Sequence, residues 1–303
     1  MPGSSPRFLE KAQGLPADEI FLDLEDAVAP DAKPAARRSV IAALVSGDWG
    51  AKIRAVRVNG ATTRWAYRDV IDVVEQAGRQ LDAIVLPKVS SAAQVSWLDL
   101  LLGQVEQETG LPPGQIGIEA QIEDARGLAE VNAIAAASDR LAALVFGPAD
   151  FMASVGMRSL QVGLPPAGYP GDAFGYPKMR MLVAARSYGL QAIDGPYAAI
   201  GDVDGLRQAA GGAAALGYDG KWVLHPGQIE VVNEAFAPGQ ADYDRAELIL
   251  EAYDYYTTVE SRGAAMLDGE MIDEASRKLA LGCASRGRAA GLTRTIRFQP
   301  PAR

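Results

Sequence analysis

The sequence predicts an α/β fold, a TIM (β/α)8 barrel with a C-terminal helical extension that serves as a lid. Short apolar runs rich in Ile, Val and Leu recur with amphipathic stretches between them, as in buried parallel strands joined by covering helices. Polar residues follow these runs at one end, which is how a barrel of this kind builds its site. The Gly-rich phosphate fingerprint that opens many doubly wound sheets is missing after the first run.

The predicted strands are EIFLDL (19–24), IRAVRV (53–58), AIVLP (83–87), IGIEAQI (116–122), AALVF (142–146), LQAI (190–193) and WVL (222–224). An eighth would lie ahead of Pro2, where only Met1 stands. Residues 92–107 read as a covering helix, and the small residues of 209–217 as a helix packed closely against its neighbours. The connection 151–178 is long and rich in Gly and Pro. It is either a lid over the site or a passive surface excursion. Beyond residue 225 the pattern turns helical, over 228–236, 243–259 and 274–290, with SRGAAMLDGEMID (261–273) as a hinge and a frayed end after it. This divides the chain into a barrel, 1–227, and a helical extension and lid, 228–303.

A chain of 303 residues buries a large core, and its 49% hydrophobic and 22% charged content suit a water-soluble domain. No apolar run reaches membrane-spanning length, and MPGSSPRFLEK has no export signal, so a cytoplasmic protein is expected. Cys283 is the single cysteine and His225 the single histidine, which excludes an intrachain disulfide, a Cys–His nucleophile and a His-rich zinc site. A net charge of −9 argues against nucleic acid as a partner.

Glu123 and Asp150 each follow a predicted strand, with a helical stretch between them. Two such acids hold a divalent cation such as Mg²⁺, or pair with a nearby arginine such as Arg126. Arg57 interrupts an apolar strand, so it either satisfies Asp23, Glu25 and Asp26 or holds an anionic substrate. Ser5 reads as an N-cap with Pro6 at the first helical position, and Arg7 and Lys11 flank that helix start. It is either an anion site to which Lys33 and Arg37, one helical turn apart, would add, or a capped helix whose basic residues are only solvated. Lys88 either contacts ligand or pairs with an acid. His225 reads as a structural histidine rather than the general base, and Asp273 matters only if the hinge carries it to a site.

FLDLEDAVAPDAKPAAR, VRVNG, VLPKV, the Glu123 segment, VFGPADFMASVG, AIDGPY, GKWVLHPGQI and GEMID occur in this order along nearly the whole chain. Together they resemble the HpcH/HpaI aldolase superfamily, and within it the citrate lyase β-subunit-like CoA ester lyases. The long loop after GPADF is more similar to malyl-CoA and β-methylmalyl-CoA lyases than to the short citrate lyase β-like proteins. The resemblance implies a barrel with a helical extension, assembled as a homotrimer or hexamer. It implies Glu123 and Asp150 as ligands of Mg²⁺ (or Mn²⁺), Arg57 as the active-site arginine with Glu25 and Asp26 beside it, and Asp273 as a lid aspartate entering a neighbouring subunit's site. The loop Pro2, Gly3, Ser4, Ser5 to Arg7 falls where the family contacts CoA. The implied reaction is reversible cleavage of a malyl-CoA-type thioester to acetyl-CoA or propionyl-CoA and glyoxylate, a 2-oxo acid. Citramalyl-CoA or citryl-CoA lysis, malyl-CoA hydrolysis, and service as a subunit fed by an acyl carrier protein are the alternatives. Family members carry a first strand ahead of the PGS loop, so the resemblance implies that either the true start lies upstream or the barrel is short of that strand.

Overall fold

Strands buried on both faces must be apolar throughout, and the runs above form one parallel sheet in the computed structural model, which describes residues 1–159, 161, 164, 166 and 168–300. Its seven strands are β1 (Glu19–Asp23), β2 (Ile53–Arg57), β3 (Ala83–Leu86), β4 (Gly117–Ile122), β5 (Leu141–Phe146), β6 (Gln191–Asp194) and β7 (Gly220–Lys221). They lie side by side in chain order, each pair parallel. Helices connect them, among them Lys33–Ser46, Ala66–Ala77, Ala92–Thr109, Gly175–Ser187 and Val203–Leu216.

The sheet curls. Phe21 of β1 meets Trp222, next after β7, edge to face with ring centroids 4.8 Å apart, so the first and last strands approach across a shared interior. One face carries Leu22, Val56, Ile84, Ile118 and Leu144, all fully buried. The alternate positions face inward, where Phe21, Ala55, Ala83 and Val85 form a small cluster. Further along the same inner face stand Asp23, Arg57 and Gln121.

Two expectations are corrected here. Residues 1–3 supply part of the strand expected to be missing: the Met1 carbonyl accepts from Asp23 N at 2.8 Å, and Gly3 N donates to Asp23 O at 2.8 Å, so Pro2 bridges Asp23 in parallel. The seventh strand is Gly220–Lys221 and not WVL. Trp222, whose N–H still donates to the Asp194 carbonyl at 2.9 Å, packs its ring on Phe21, and Leu224 is 47% exposed.

Helices Pro148–Ser154 and Gly175–Ser187 take the two ends of the long 151–178 connection. Between them Leu160, Val162, Gly163, Pro165 and Ala167 lie outside the described residues, and with them the centre of the expected lid.

The chain divides into two compact units, Met1–Val232 and Asn233–Arg303. The second contains helix Gln240–Thr258, strands β8 (Ala265–Leu267) and β9 (Glu270–Ile272), and helix Glu274–Ala289. The expected hinge is a hairpin: β8 and β9 pair antiparallel, and Asp268 and Gly269 between them have φ of 52° and 87°. Two left-handed residues are what a tight two-residue turn needs. The chain end is tied down to residue 298 rather than frayed. Thr295 N donates to Asp244 at 2.8 Å and Phe298 N to Glu251 at 2.8 Å, and the Phe298 ring lies against Tyr255 and Tyr256.

Candidate active site

Glu123 follows the last residue of β4 and is buried, 3% exposed. Oε1 accepts from the Lys88 backbone N at 2.6 Å and Oε2 from Gln121 Nε2 at 2.6 Å. These are its hydrogen-bond partners among the described residues, and Arg126 is not one of them. Burial, then the charges of Glu25 and Asp150, push its pKa up to about 8 against the opposing pull of the Lys88 N–H and Arg57. Gly147 permits this packing: a Cβ there would collide with the Glu123 Cβ and approach Oε2 to 2.6 Å.

Asp150 stands in the first turn of helix Pro148–Ser154, directly after β5. No hydrogen bond or ion pair engages it among the described residues, yet its charge reaches Glu123. The two acids are therefore neighbours at adjacent strand ends, as their spacing predicts.

Arg57, at the end of β2, is 7% exposed and grips Asp23 with two bonds, Nε to Oδ1 at 2.8 Å and Nη2 to Oδ2 at 2.6 Å. Its guanidinium lies 5.0 Å from the Trp222 ring centre and 5.6 Å from that of Phe21. Burial alone would raise the Asp23 carboxyl, but Arg57 and the Glu25 N–H hold it below the usual range. Glu25 is pushed up by burial despite Arg57 and Lys88. Its Oε2 lies 3.4 Å from Arg57 Nη1, close enough for ion pairing but without a hydrogen bond, so it is a buried acceptor left unused.

Lys88 links these groups. Its φ of 55° is left-handed, an uncommon state for a side chain with a Cβ and one concentrated at functional sites. That conformation accompanies a backbone N–H aimed at Glu123, while Nζ reaches Glu25 at 2.6 Å and the exposed Asp26 at 2.9 Å. Lys88, Asn59, Thr63 and Trp65 are among the residues lining a cleft of about 350 Å³ beside Glu25 and Asp26.

The anion-site candidates separate. Ser5 is the N-cap of helix Pro6–Ala12, with Pro6 first in the helix, but its side chain makes no capping bond. Ser4, Arg7 and Lys11 are exposed, whereas Pro2 and Gly3 belong to the ladder beside β1. Lys33 and Arg37 do not add to this site. Lys33 is buried, its Nζ donating to the Leu24 and Glu25 carbonyls at 2.9 and 2.8 Å, so it braces the DLED turn. Arg37 is held by Asp69 and Asp72, both at 2.7 Å. Helical spacing places two cations on one face but says nothing of acids more than thirty residues away.

Asp273, in the second unit, is the N-cap of helix Glu274–Ala289. The Ser276 N–H, donating at 3.0 Å, is the leading reason its carboxyl sits below the ordinary value. His225 caps the turn Pro226–Gln228, its Nδ1 accepting from Gly227 N at 3.0 Å, which suits the structural role read from sequence. Asp194 is shared by Lys221 at 2.5 Å and Lys178 at 3.1 Å. Sequence reasoning missed Gln121 and Trp222. Gln121 was findable, since residues two apart on a strand share a face. Trp222 was hidden inside a run read as strand.

The donor set suits a hard cation. Only oxygens are offered, the unused Glu25 oxygen lies close by, and buried carboxylates of one sign require compensation. No cage of three or more His, Cys, Asp or Glu exists among the described residues. Mg²⁺ is well served by such a site, because it keeps waters and takes one or two protein carboxylates.

Residues 1–226 match the family described as HpcH/HpaI aldolase/citrate lyase. The chain is 40% identical over 288 residues to an L-malyl-CoA/beta-methylmalyl-CoA lyase of Cereibacter sphaeroides, covering 92% of this chain and 90% of the relative. A (3S)-malyl-CoA thioesterase of the same species is 38% identical over 279 residues, covering 90% and 87%. Among solved structures, CitE from Mycobacterium tuberculosis in complex with magnesium, acetoacetate and coenzyme A is similar with a TM-score of 0.75 at 30% identity, over 95% of this chain and 96% of that one.

Proposed function

Because the chain belongs to the HpcH/HpaI aldolase/citrate lyase family, we propose that it is a Mg²⁺-dependent carbon–carbon lyase acting on malyl-CoA or β-methylmalyl-CoA. The products are glyoxylate and acetyl-CoA or propionyl-CoA. The observation that carries this reading is the likeness to a lyase of that name over 92% of this chain and 90% of the relative.

Glu123 and Asp150 hold the ion, for which Mn²⁺ is a substitute. Bound there, Mg²⁺ supplies Lewis-acid polarisation of the oxo-acid oxygens and a template for the substrate. Arg57, its plane fixed by Asp23, keeps Nη1 for an oxygen that gains charge as the bond breaks. The substrate's 3-hydroxyl passes its proton to solvent, and the electron pair freed from the O–H bond forms the second bond of the glyoxylate carbonyl. The carbon–carbon bond breaks, and its pair passes into a thioester enolate. Asp273 of a neighbouring subunit is the proton-transfer residue at the enolate carbon, its lowered pKa reset upward by a closed, water-poor site. Glu25 and Asp26 hold Lys88 and Arg57 in place, and Ser4, Ser5, Arg7 and Lys11 meet CoA.

In this reading residues 1–227 form the (β/α)8-type barrel, with residues 1–3 standing for part of its first strand, and 228–303 form the extension and lid of a trimer or hexamer. No helix among the described residues is long and apolar enough to cross a membrane, and a cytoplasmic site of action is part of the proposal. Hydrolysis is the second reading, supported by the 38% identity to a malyl-CoA thioesterase. Incubation with malyl-CoA and Mg²⁺ separates the two, with glyoxylate and free thiol followed together. Glyoxylate without thiol is expected, thiol without glyoxylate makes the protein a thioesterase, and neither product from folded protein overturns both. Citramalyl-CoA and citryl-CoA in parallel arms test the neighbouring lyase specificities.

A further inference from the structure

Gln121 and Glu123 leave the same face of β4. The Gln121 side chain is buried, 2% exposed, inside the barrel, where its register partner on β5 is Val145. Its Nε2 donates to Glu123 Oε2 at 2.6 Å, while its own Oε1 has no hydrogen-bond partner. Turning the amide over would set Oε1 against the carboxylate oxygen, so Glu123 fixes the orientation observed. A buried amide with one end unsatisfied is costly. Methionine would fill the same volume without that cost, so packing alone does not explain glutamine here.

We propose that Gln121 is a positioning residue for the metal site. With the Lys88 N–H on Oε1 and Gln121 on Oε2, each carboxylate oxygen of Glu123 receives one donor and keeps a lone pair free. Neither oxygen can rotate away without losing a short bond. Gln121 thus sets the orientation in which Glu123 meets a cation it shares with Asp150. This rests on the Mg²⁺ reading above.

The test uses the full chain, with Mg²⁺ alone titrated calorimetrically and the thermal midpoint measured in EDTA. Gln121→Met removes the donor at constant volume, and Gln121→Asn keeps the amide but shortens its reach. Both are expected to bind Mg²⁺ roughly 10- to 100-fold more weakly, the usual cost of losing an outer-shell partner. The metal-free midpoint of Gln121→Met should equal or exceed that of wild type, a pairing that a merely structural glutamine would not produce. Wild-type Mg²⁺ affinity in either folded variant overturns the inference and leaves the metal reading intact. A wild-type chain that binds no Mg²⁺ overturns the metal reading and the inference with it.

Discussion

The two ends of the sheet both bury glutamates and neutralise them by different means. At the C-terminal end Asp23, Glu25 and Glu123 are met by Arg57, Lys88 and backbone N–H groups. Toward the other end Glu119, four residues before Glu123 on the same face of β4, hydrogen-bonds Glu19 of β1. The acid groups facing that pair are each other and Asp82. Burial, then Glu19, pushes the Glu119 carboxyl far above its ordinary value, so a shared proton does there what Arg57 and Lys88 do only in part at the site. The difference is functional. A proton silences the Glu119 pair, whereas at the site Arg57 holds Asp23 low and, with Lys88, opposes the rise of Glu25 and Glu123. The Glu123 pKa of about 8 leaves its proton readily displaced by a cation.

The largest expected effect comes from removing an acid at the C-terminal end of the sheet. Asp150→Asn should lower kcat by at least about a thousandfold, ~4 kcal/mol of barrier, with an unchanged far-ultraviolet circular dichroism spectrum. Near-normal turnover would break the contrast at once.

Next, Arg57→Lys keeps the charge but loses the two-bond grip on Asp23 and the stacking on Trp222. A loss of roughly a hundredfold in kcat/KM is expected from steady-state kinetics.

The protonated end gives a pH signature. The folded pKa of Glu119 lies above its unfolded value, so its neutral form stabilises the fold. That contribution is whole below the unfolded value of about 4.3 and is lost as pH rises through the folded value. Glu119→Gln, which stays neutral and keeps a donor for Glu19, should therefore flatten the decline of Tm with rising pH, gaining roughly 1–2 kcal/mol on the alkaline side. Parallel wild-type and variant Tm profiles would show that no shared proton operates there.

The smallest effect belongs to Asp82→Asn. It removes a repulsion on Glu19 together with a partly exposed ion pair to Arg54. Stability by urea denaturation should change by less than about 1 kcal/mol.

The sequence made the strands and the Glu123–Asp150 pair legible for one physical reason. Buried strands are apolar without a break, so an acid at the end of such a run stands out. The same logic failed for β7, whose two residues, Gly220 and Lys221, carry no periodic signal beside the more apolar WVL. Lys33 and Arg37 were misplaced because their acceptors, the Leu24 and Glu25 carbonyls and the carboxylates of Asp69 and Asp72, depend on tertiary folding. The hairpin at Asp268–Gly269 was legible after all, since Asp-Gly between short alternating runs is a strong turn signal, and reading the glycines as a hinge passed over it.

Glycine at 147 and 195 bears on how this pocket can be re-engineered. A side chain at Gly147 would strike Glu123, and one at Gly195 would strike Pro148, two residues before Asp150. The separation of the two acids is thus set partly by missing atoms, at positions where selection has no smaller residue to offer. A library seeking room for bulkier acyl groups should return glycine at both positions while the lining around them varies. Any clone that escapes this must have moved an acid, and its metal preference should move with it.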